Sequence, residues 1–220
     1  MFRSWLFAGI LIACLSGCGG SVPSASDNSA LAADRSLCNV RAINLRGLWD
    51  VFSLGLNELT DRMNAASIPA EARSGPDWPH IVQEILSNDE IPLVLVGHSY
   101  GADQAILICE ELAARGRSVA LLVLIDPTDP GTIPANVDRC VQFYIPTALG
   151  SDYPDIFAGS PAAASDGNTH TTFRNILVSI DTLGVDVTDT DHFNLESNDL
   201  VHAIIIDEVR QLCASGAVAP

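Results

Sequence analysis

Lysine is absent from this chain. Every one of the eleven basic residues is arginine, set against 27 acidic residues, for a formal net charge of −16. Such a surface repels phosphate backbones, which argues against nucleic acid as a partner. Charged residues are scarce overall, at 17%, while hydrophobic ones make up 48%. That composition is too apolar for a disordered chain and too interrupted for a multispanning membrane protein. There is no CxxC and no Cys/His cluster, so nothing suggests a zinc site. No internal repeat is visible. The 220 residues fit one domain of ordinary size with a full hydrophobic core.

What is present begins with an export pattern. Arg3 supplies a positive charge, and Trp5 to Leu15 is an apolar run too short to span a bilayer as a stable helix. Leu15-Ser16-Gly17-Cys18 follows and resembles a bacterial lipobox. The resemblance implies a signal peptide over 1–17 and a lipidated Cys18 as the first mature residue. An ordinary signal peptide cut nearby would leave a soluble secreted protein instead. Gly19, with no Asp after the cysteine, resembles an outer-membrane address in cells that have one. The expectation is a lipid-anchored protein of the bacterial cell envelope whose domain lies outside the cytoplasm. Residues 18–37 are rich in Gly, Ser and Ala and read as a flexible tether. Such a tether reaches about 25 Å. The folded domain is expected over 38–220. Export implies an oxidising compartment. There Cys38, Cys109, Cys140 and Cys213 allow three full pairings.

Along the domain, short apolar runs alternate with amphipathic stretches, the pattern of βαβ units. Strands are predicted at Arg41–Leu45, Ala70–Arg73, Pro92–Val96, Val119–Ile125, Cys140–Ile145 and Gly184–Val187. Phe52, Leu56, Leu59 and Met63 mark one helix face, and Trp78, Ile81, Val82 and Ile85 another. A helix is predicted from Ser99 to Arg115, closed by Gly116, and a last one through Leu200, Val201, Ile204, Ile205, Val209 and Leu212. Ser151 to Thr172 reads as a long loop, and Asn175–Ile180 as a helix turn or a strand. The fold class is α/β: a doubly wound, mainly parallel sheet of about six strands with helices on both faces. Ligands of such sheets sit at the carboxyl ends of the strands.

Chemistry concentrates at Gly97-His98-Ser99-Tyr100-Gly101, a G-x-S-x-G between a buried strand and a helix start. In that context it describes a nucleophile elbow, with Ser99 lifted above the sheet at a helix N-terminus. The NH of Tyr100 can serve as one oxyanion donor. Together with Asp191-His192-Phe193 near the end, the elbow resembles the α/β-hydrolase superfamily, and the small lipase-like and thioesterase-like members most. The resemblance covers about Val40 to Leu212. It implies a serine-histidine-acid triad with no metal and no cofactor. The chain departs from the family's longer pattern in two respects, having no clear pair of leading antiparallel strands and no large cap. Helices that run back from a parallel sheet end where its strands start, and in the resembling fold the first strand and last helix pack together. A disulfide between Cys38 and Cys213 is therefore expected, with Cys109 and Cys140 as buried thiols.

His192 follows the last predicted strand and precedes the last helix, where a base can lean over Ser99. The other histidines are His98, the elbow's spacer, expected to point away; His80, at a helix start; His202, on the flank of the last helix; and His170, in the long loop, which could line the site. The second oxyanion donor should come from the loop after the first strand. Arg46-Gly47-Leu48-Trp49 stands there, and the NH of Leu48 is the candidate. For the acid, Asp126 ends a buried strand before Pro127, while Asp152 and Asp155 after the next strand compete with it. Asp191 is discounted because neighbouring side chains usually point apart. The expected activity is hydrolysis of a carboxylic ester or thioester with an apolar, lipid-like acyl part. The alternatives are an acyltransferase with the same triad and a non-catalytic envelope lipoprotein that keeps the fold for binding.

Overall fold

Apolar runs set the sheet. The structure, a computed structural model, describes residues 38–47, 53–87, 91–129, 131–145, 159–187 and 189–215. The signal and tether expectations, Cys18, Leu48, Asp152 and Asp155 lie outside the described residues. Six parallel strands form the main sheet: β1 (Arg41–Arg46), β2 (Ala70–Ser74), β3 (Leu93–His98), β4 (Leu121–Ile125), β6 (Arg139–Tyr144) and β8 (Thr172–Leu177), in the order β2-β1-β3-β4-β6-β8. Every residue of β3 and β4 is buried. These strands are covered on both faces, which is why their sequences read as continuous apolar runs. Two short strands, β5 (Thr132–Ile133) and β7 (Ala163–Ala164), pair separately.

Helices cover both faces. On one face α1 (Gly55–Ala65) buries Leu56, Leu59 and Met63, and α5 (Asp199–Ala214) buries Val201, Ile205 and Val209, against Val94, Val96, Val123 and Phe143. On the other, α2 (Trp78–Ser87) and α3 (Tyr100–Ala113) pack Ile81, Ile85, Ala105, Ile108 and Leu112 against Ile43, Leu95, Leu122 and Leu124. Each fully buried Val, Leu, Ile, Met or Phe side chain among these contributes about 1.5–3 kcal/mol relative to exposure. The Asn198 side chain accepts hydrogen bonds from the N–H groups of Leu200 and Val201, which starts α5 immediately after the segment that carries His192. Glu208 of α5, 1% exposed, takes Arg139 of β6 at 2.6 Å and also pairs with Arg174 of β8, so this helix is tied to the sheet by charge as well as packing.

One expected strand is corrected. Gly184–Val187 is not a strand; Gly184, at φ 69°, closes the short helix α4 (Ile180–Leu183). The last strand is instead Thr172–Leu177, which takes in the start of the stretch left open at Asn175–Ile180 and extends the sheet from β6. It is an edge strand in which only Ile176 is fully buried, so it lacks an apolar run.

Strand order places the site. The chain leaves β1 for β2 on one side and returns to β3 on the other. In sheets of this kind the place beyond the strand ends at such a reversal, here the carboxyl ends of β1 and β3, is where ligands bind. Gly47 and Ser99 stand there. A Cβ on Gly47 would come within 3.4 Å of the Ser99 Cβ.

Cys38 and Cys213 form a disulfide, with Cα atoms 5.5 Å apart across 175 residues of chain. Cys109 and Cys140 are buried free thiols. In the chain-entropy model a loop of that length contributes ~5 kcal/mol. Replacing both Cys38 and Cys213 by serine should lower stability by about that amount in urea unfolding. An unchanged midpoint would show that the bridge does not constrain the unfolded chain.

Candidate active site

The elbow is built by two close approaches. A Cβ on Gly97 would lie 2.5 Å from the Ala102 Cα, and one on Gly101 would lie 2.6 Å from the Arg46 carbonyl oxygen. Neither position admits a side chain, which is the physical content of the two glycines in the motif. Between them Ser99 adopts φ 55°, ψ −130°, a conformation L-residues rarely take. Two hydrogen bonds hold it there: its N–H donates to the Ile125 carbonyl at 3.0 Å, and its carbonyl accepts from the Ala102 N–H at 2.9 Å. The hydroxyl thus stands at the first turn of α3, beside the N–H of Tyr100, one of the helix's intrinsically unpartnered donors.

The structure brings Ser99, His192 and Asp126 together. His192 Nε2 lies 2.9 Å from Ser99 Oγ, and His192 Nδ1 lies 2.7 Å from Asp126 Oδ2. A carboxylate only accepts, so Nδ1 carries the proton and Nε2 presents a lone pair to the serine hydroxyl. His192 is 8% exposed and Asp126 2%. Asp126 follows β4 at φ 42°, and its N–H donates to the Phe143 carbonyl at 2.8 Å. Its other oxygen, Oδ1, accepts from the Ile145 N–H at 3.2 Å. Asp103, on the first turn of α3, accepts from the Asp129 N–H at 3.1 Å and from the Thr128 hydroxyl, fixing the loop beyond Asp126.

The loop that carries the histidine is shaped by its neighbours. Asp191 Oδ1 accepts from the N–H groups of Phe193 and Asn194, at 2.8 and 3.1 Å, so Asp191 forms the turn while Asp126 faces the imidazole. Asn194 closes the turn from the other side by accepting from the Asp191 N–H at 2.9 Å. The Phe193 ring meets the His192 ring edge-on at 5.3 Å.

The other histidines lie elsewhere. His170 binds Asp138 at 2.9 Å, just before β6 and so at the amino end of the strands, whereas Ser99 lies beyond their carboxyl ends. His80 binds Asp77 on the surface. His202 is buried and holds the Glu196 carbonyl at 2.6 Å. His98 is the residue sequence reasoning missed. It touches the frame of the site through Ser53 and the His192 carbonyl, each at 2.8 Å. Among the described residues no group of three or more His, Cys, Asp or Glu could hold a metal ion.

Burial lowers the His98 pKa to about 4, helped by the neighbouring His192, and burial also lowers that of His202. Both rings fold as neutral groups. The unfolded chain therefore binds more protons as pH falls from about 6.5 towards 4, and stability falls with it. His98 alone contributes on the order of 3 kcal/mol to that loss. Asp103 and Glu196, whose carboxyls burial raises, act in the opposite direction and soften the slope. Urea unfolding at pH 7 and pH 4.5 should show the loss, reduced in His98→Gln. Equal losses in both proteins would assign the acid sensitivity to other groups.

The family model of the Thioesterase domain matches residues 80–139, the stretch that holds the elbow and Asp126. Among solved structures, the NocB thioesterase domain from the nocardicin cluster, in covalent complex with a fluorophosphonate nocardicin G analog, is 13% identical, with 81% of this chain and 97% of that one covered and a TM-score of 0.50. Human thioesterase 2 is 9% identical, with 82% and 99% covered and a TM-score of 0.47. The type II thioesterase BorB from the borrelidin biosynthetic cluster is 11% identical, with 77% and 92% covered and a TM-score of 0.43. No curated protein matches the chain. At such identities the structural likeness is one of fold alone: a mainly parallel six-stranded sheet with helices on both faces. Residues 80–139 are thus similar to a thioesterase domain, a match that takes in 60 of the 220 residues.

Proposed function

We propose that the protein is a serine hydrolase that cleaves a carboxylic ester or thioester through an acyl-enzyme on Ser99. The observation that carries this is His192, which spans Ser99 Oγ and Asp126 Oδ2 with one nitrogen to each. In this reading Ser99 Oγ attacks the carbonyl carbon as its proton passes to His192 Nε2. The oxyanion is received by the N–H of Tyr100 and by that of Leu48. His192 then returns the proton to the leaving alcohol or thiol. Water, activated by the same nitrogen, adds to the acyl carbon and releases the acid, and the proton goes back to Ser99. Asp126 keeps the imidazole in one tautomer and balances its charge while it is protonated.

The acyl part is apolar in this reading. Leu54 and Phe193, 59% and 49% exposed, lie on the two segments that flank the site, one leading into α1 and one following His192. Exposed large apolar side chains beside a reactive centre suit an acyl chain better than a sugar or a charged group. The chain's excess of acid disfavours polyanionic conjugates, so esters rank ahead of coenzyme A thioesters. A panel of p-nitrophenyl esters and acyl thioesters of increasing chain length tests the reading. Turnover of at least one set, better with apolar than with polar acyl groups, is expected. No turnover of any ester or thioester would refute it.

The proposal extends to location. Cys18 is taken to be diacylated and to begin the mature chain, since two chains give the stable anchoring that one does not. Mass spectrometry of the envelope-purified protein should find a lipidated N-terminal cysteine. An unmodified terminus at another residue would refute the anchor.

A further inference from the structure

His98 fills the variable place in the elbow motif, yet it is 1% exposed and bonded at both nitrogens. Its Nε2 lies 2.8 Å from the His192 carbonyl oxygen. A carbonyl only accepts, so Nε2 carries the hydrogen. Burial keeps the ring neutral, which leaves a lone pair on Nδ1. Ser53 Oγ, 2.8 Å away, therefore donates its hydrogen to that nitrogen. Ser53 Oγ in turn accepts from the Gly47 N–H at 2.9 Å. The chain Gly47 N–H to Ser53 O–H to His98 to His192 carbonyl runs in one direction with each link matched. It joins the loop after β1, the segment before α1, the elbow and the loop of the base. The first two pieces are six residues apart, but the elbow lies 45 residues beyond Ser53 and the loop of the base 94 beyond His98, and all meet at this ring.

We propose that His98 is a positioning residue for the reaction, a neutral strut that fixes the backbone of His192 against the β1 loop and so aims His192 Nε2 at Ser99 Oγ. The inference rests on the serine-hydrolase reading above. Neutrality matters as well as shape. The two imidazole rings are 5.1 Å apart, and His192 becomes a cation each time it takes the serine proton. A positively charged group at position 98 would oppose that step, while a neutral ring with its hydrogen on Nε2 does not.

The test compares His98→Phe, which fills the volume and removes both bonds, with His98→Gln, which restores a donor towards the His192 carbonyl. Ser53→Ala removes the middle link from the other end. Each is assayed for kcat and KM on a p-nitrophenyl ester beside wild type and Ser99→Ala, with thermal melting to check the fold. Misaligned groups commonly lose up to ~10²-fold. Expected are a kcat for His98→Phe lower by about 10- to 100-fold with KM within about two-fold, recovery in His98→Gln to within about five-fold of wild type, and a kcat for Ser53→Ala lower by about 3- to 10-fold. The role is overturned if His98→Phe keeps wild-type kcat, or if His98→Gln falls as far as His98→Phe, which would make the loss one of packing. Should His98→Phe fail to fold, full kcat in Ser53→Ala overturns it. If Ser99→Ala is dead while the strut variants are unimpaired, only this role falls. If Ser99→Ala is active, the hydrolase reading falls and takes the strut with it.

Discussion

Ser99→Ala should abolish ester or thioester turnover, with kcat/KM lower by more than about 10⁴-fold. The substitution removes the atom proposed to form the acyl bond and leaves its surroundings in place. Ser99 is held by backbone hydrogen bonds from its own N–H and carbonyl, to Ile125 and Ala102, and these survive. Alanine meets the same positive φ that serine already tolerates. Its methyl group needs no space beyond the present Cβ. Stability should therefore change by no more than about 1 kcal/mol. A pure loss of rate on an intact fold separates a chemical role from a structural one. Retention of a tenth of the wild-type rate would remove Ser99 from the chemistry.

Asp126→Asn should cost nearly as much, about 10³- to 10⁴-fold in kcat. The reason lies in which end of the amide can face the imidazole. Asp126 Oδ1 accepts from the Ile145 N–H, so the amide oxygen of asparagine must take that place. The amide nitrogen then occupies the position of Oδ2, 2.7 Å from His192 Nδ1. Two N–H groups cannot face each other, so Nδ1 gives up its hydrogen and Nε2 carries it. The nitrogen that should accept the serine proton now donates. The loss should fall on kcat with KM little changed, measured on the same ester panel. Near-wild-type kcat in Asp126→Asn, with the loss found instead in Asp152→Asn or Asp155→Asn, would move the acid beyond the next strand.

The fold was legible in proportion to burial. β3 and β4 are covered on both faces, so Leu93–Val96 and Leu121–Ile125 carry uninterrupted apolar residues that no surface segment would. β8 is a sheet edge. Its Arg174 pairs with Glu208, and its Asn175 exchanges hydrogen bonds with the backbone of Ala162, so polarity there reflects partners that lie 13 to 34 residues away. A period-based reading has no access to those partners and prefers the apolar Gly184–Val187, where Gly184 in fact ends a helical turn.

The site divides along the same line. Ser99 is marked by a local motif whose glycines answer to backbone contacts within the turn and with the adjoining strand. His192 is marked by its place before the last helix, and Asp126 by its place at a strand end. The strut is unmarked. Ser53 lies 45 residues before His98, and His98 lies 94 before His192, so their hydrogen bonds exist only once the sheet has formed. The motif assigns its variable position no role, and a buried neutral histidine there looks like a spacer until its two partners are seen.

The central claim is that Ser99 is the nucleophile activated by His192. Stoichiometric reaction with a fluorophosphonate probe, followed by mass spectrometry of the digested protein, tests it most directly. The account predicts one phosphonyl group per chain, bonded to Ser99 Oγ, formed rapidly in the wild type and at a rate lower by orders of magnitude in His192→Ala. An unreactive wild-type protein, or an adduct on any residue other than Ser99, would contradict it.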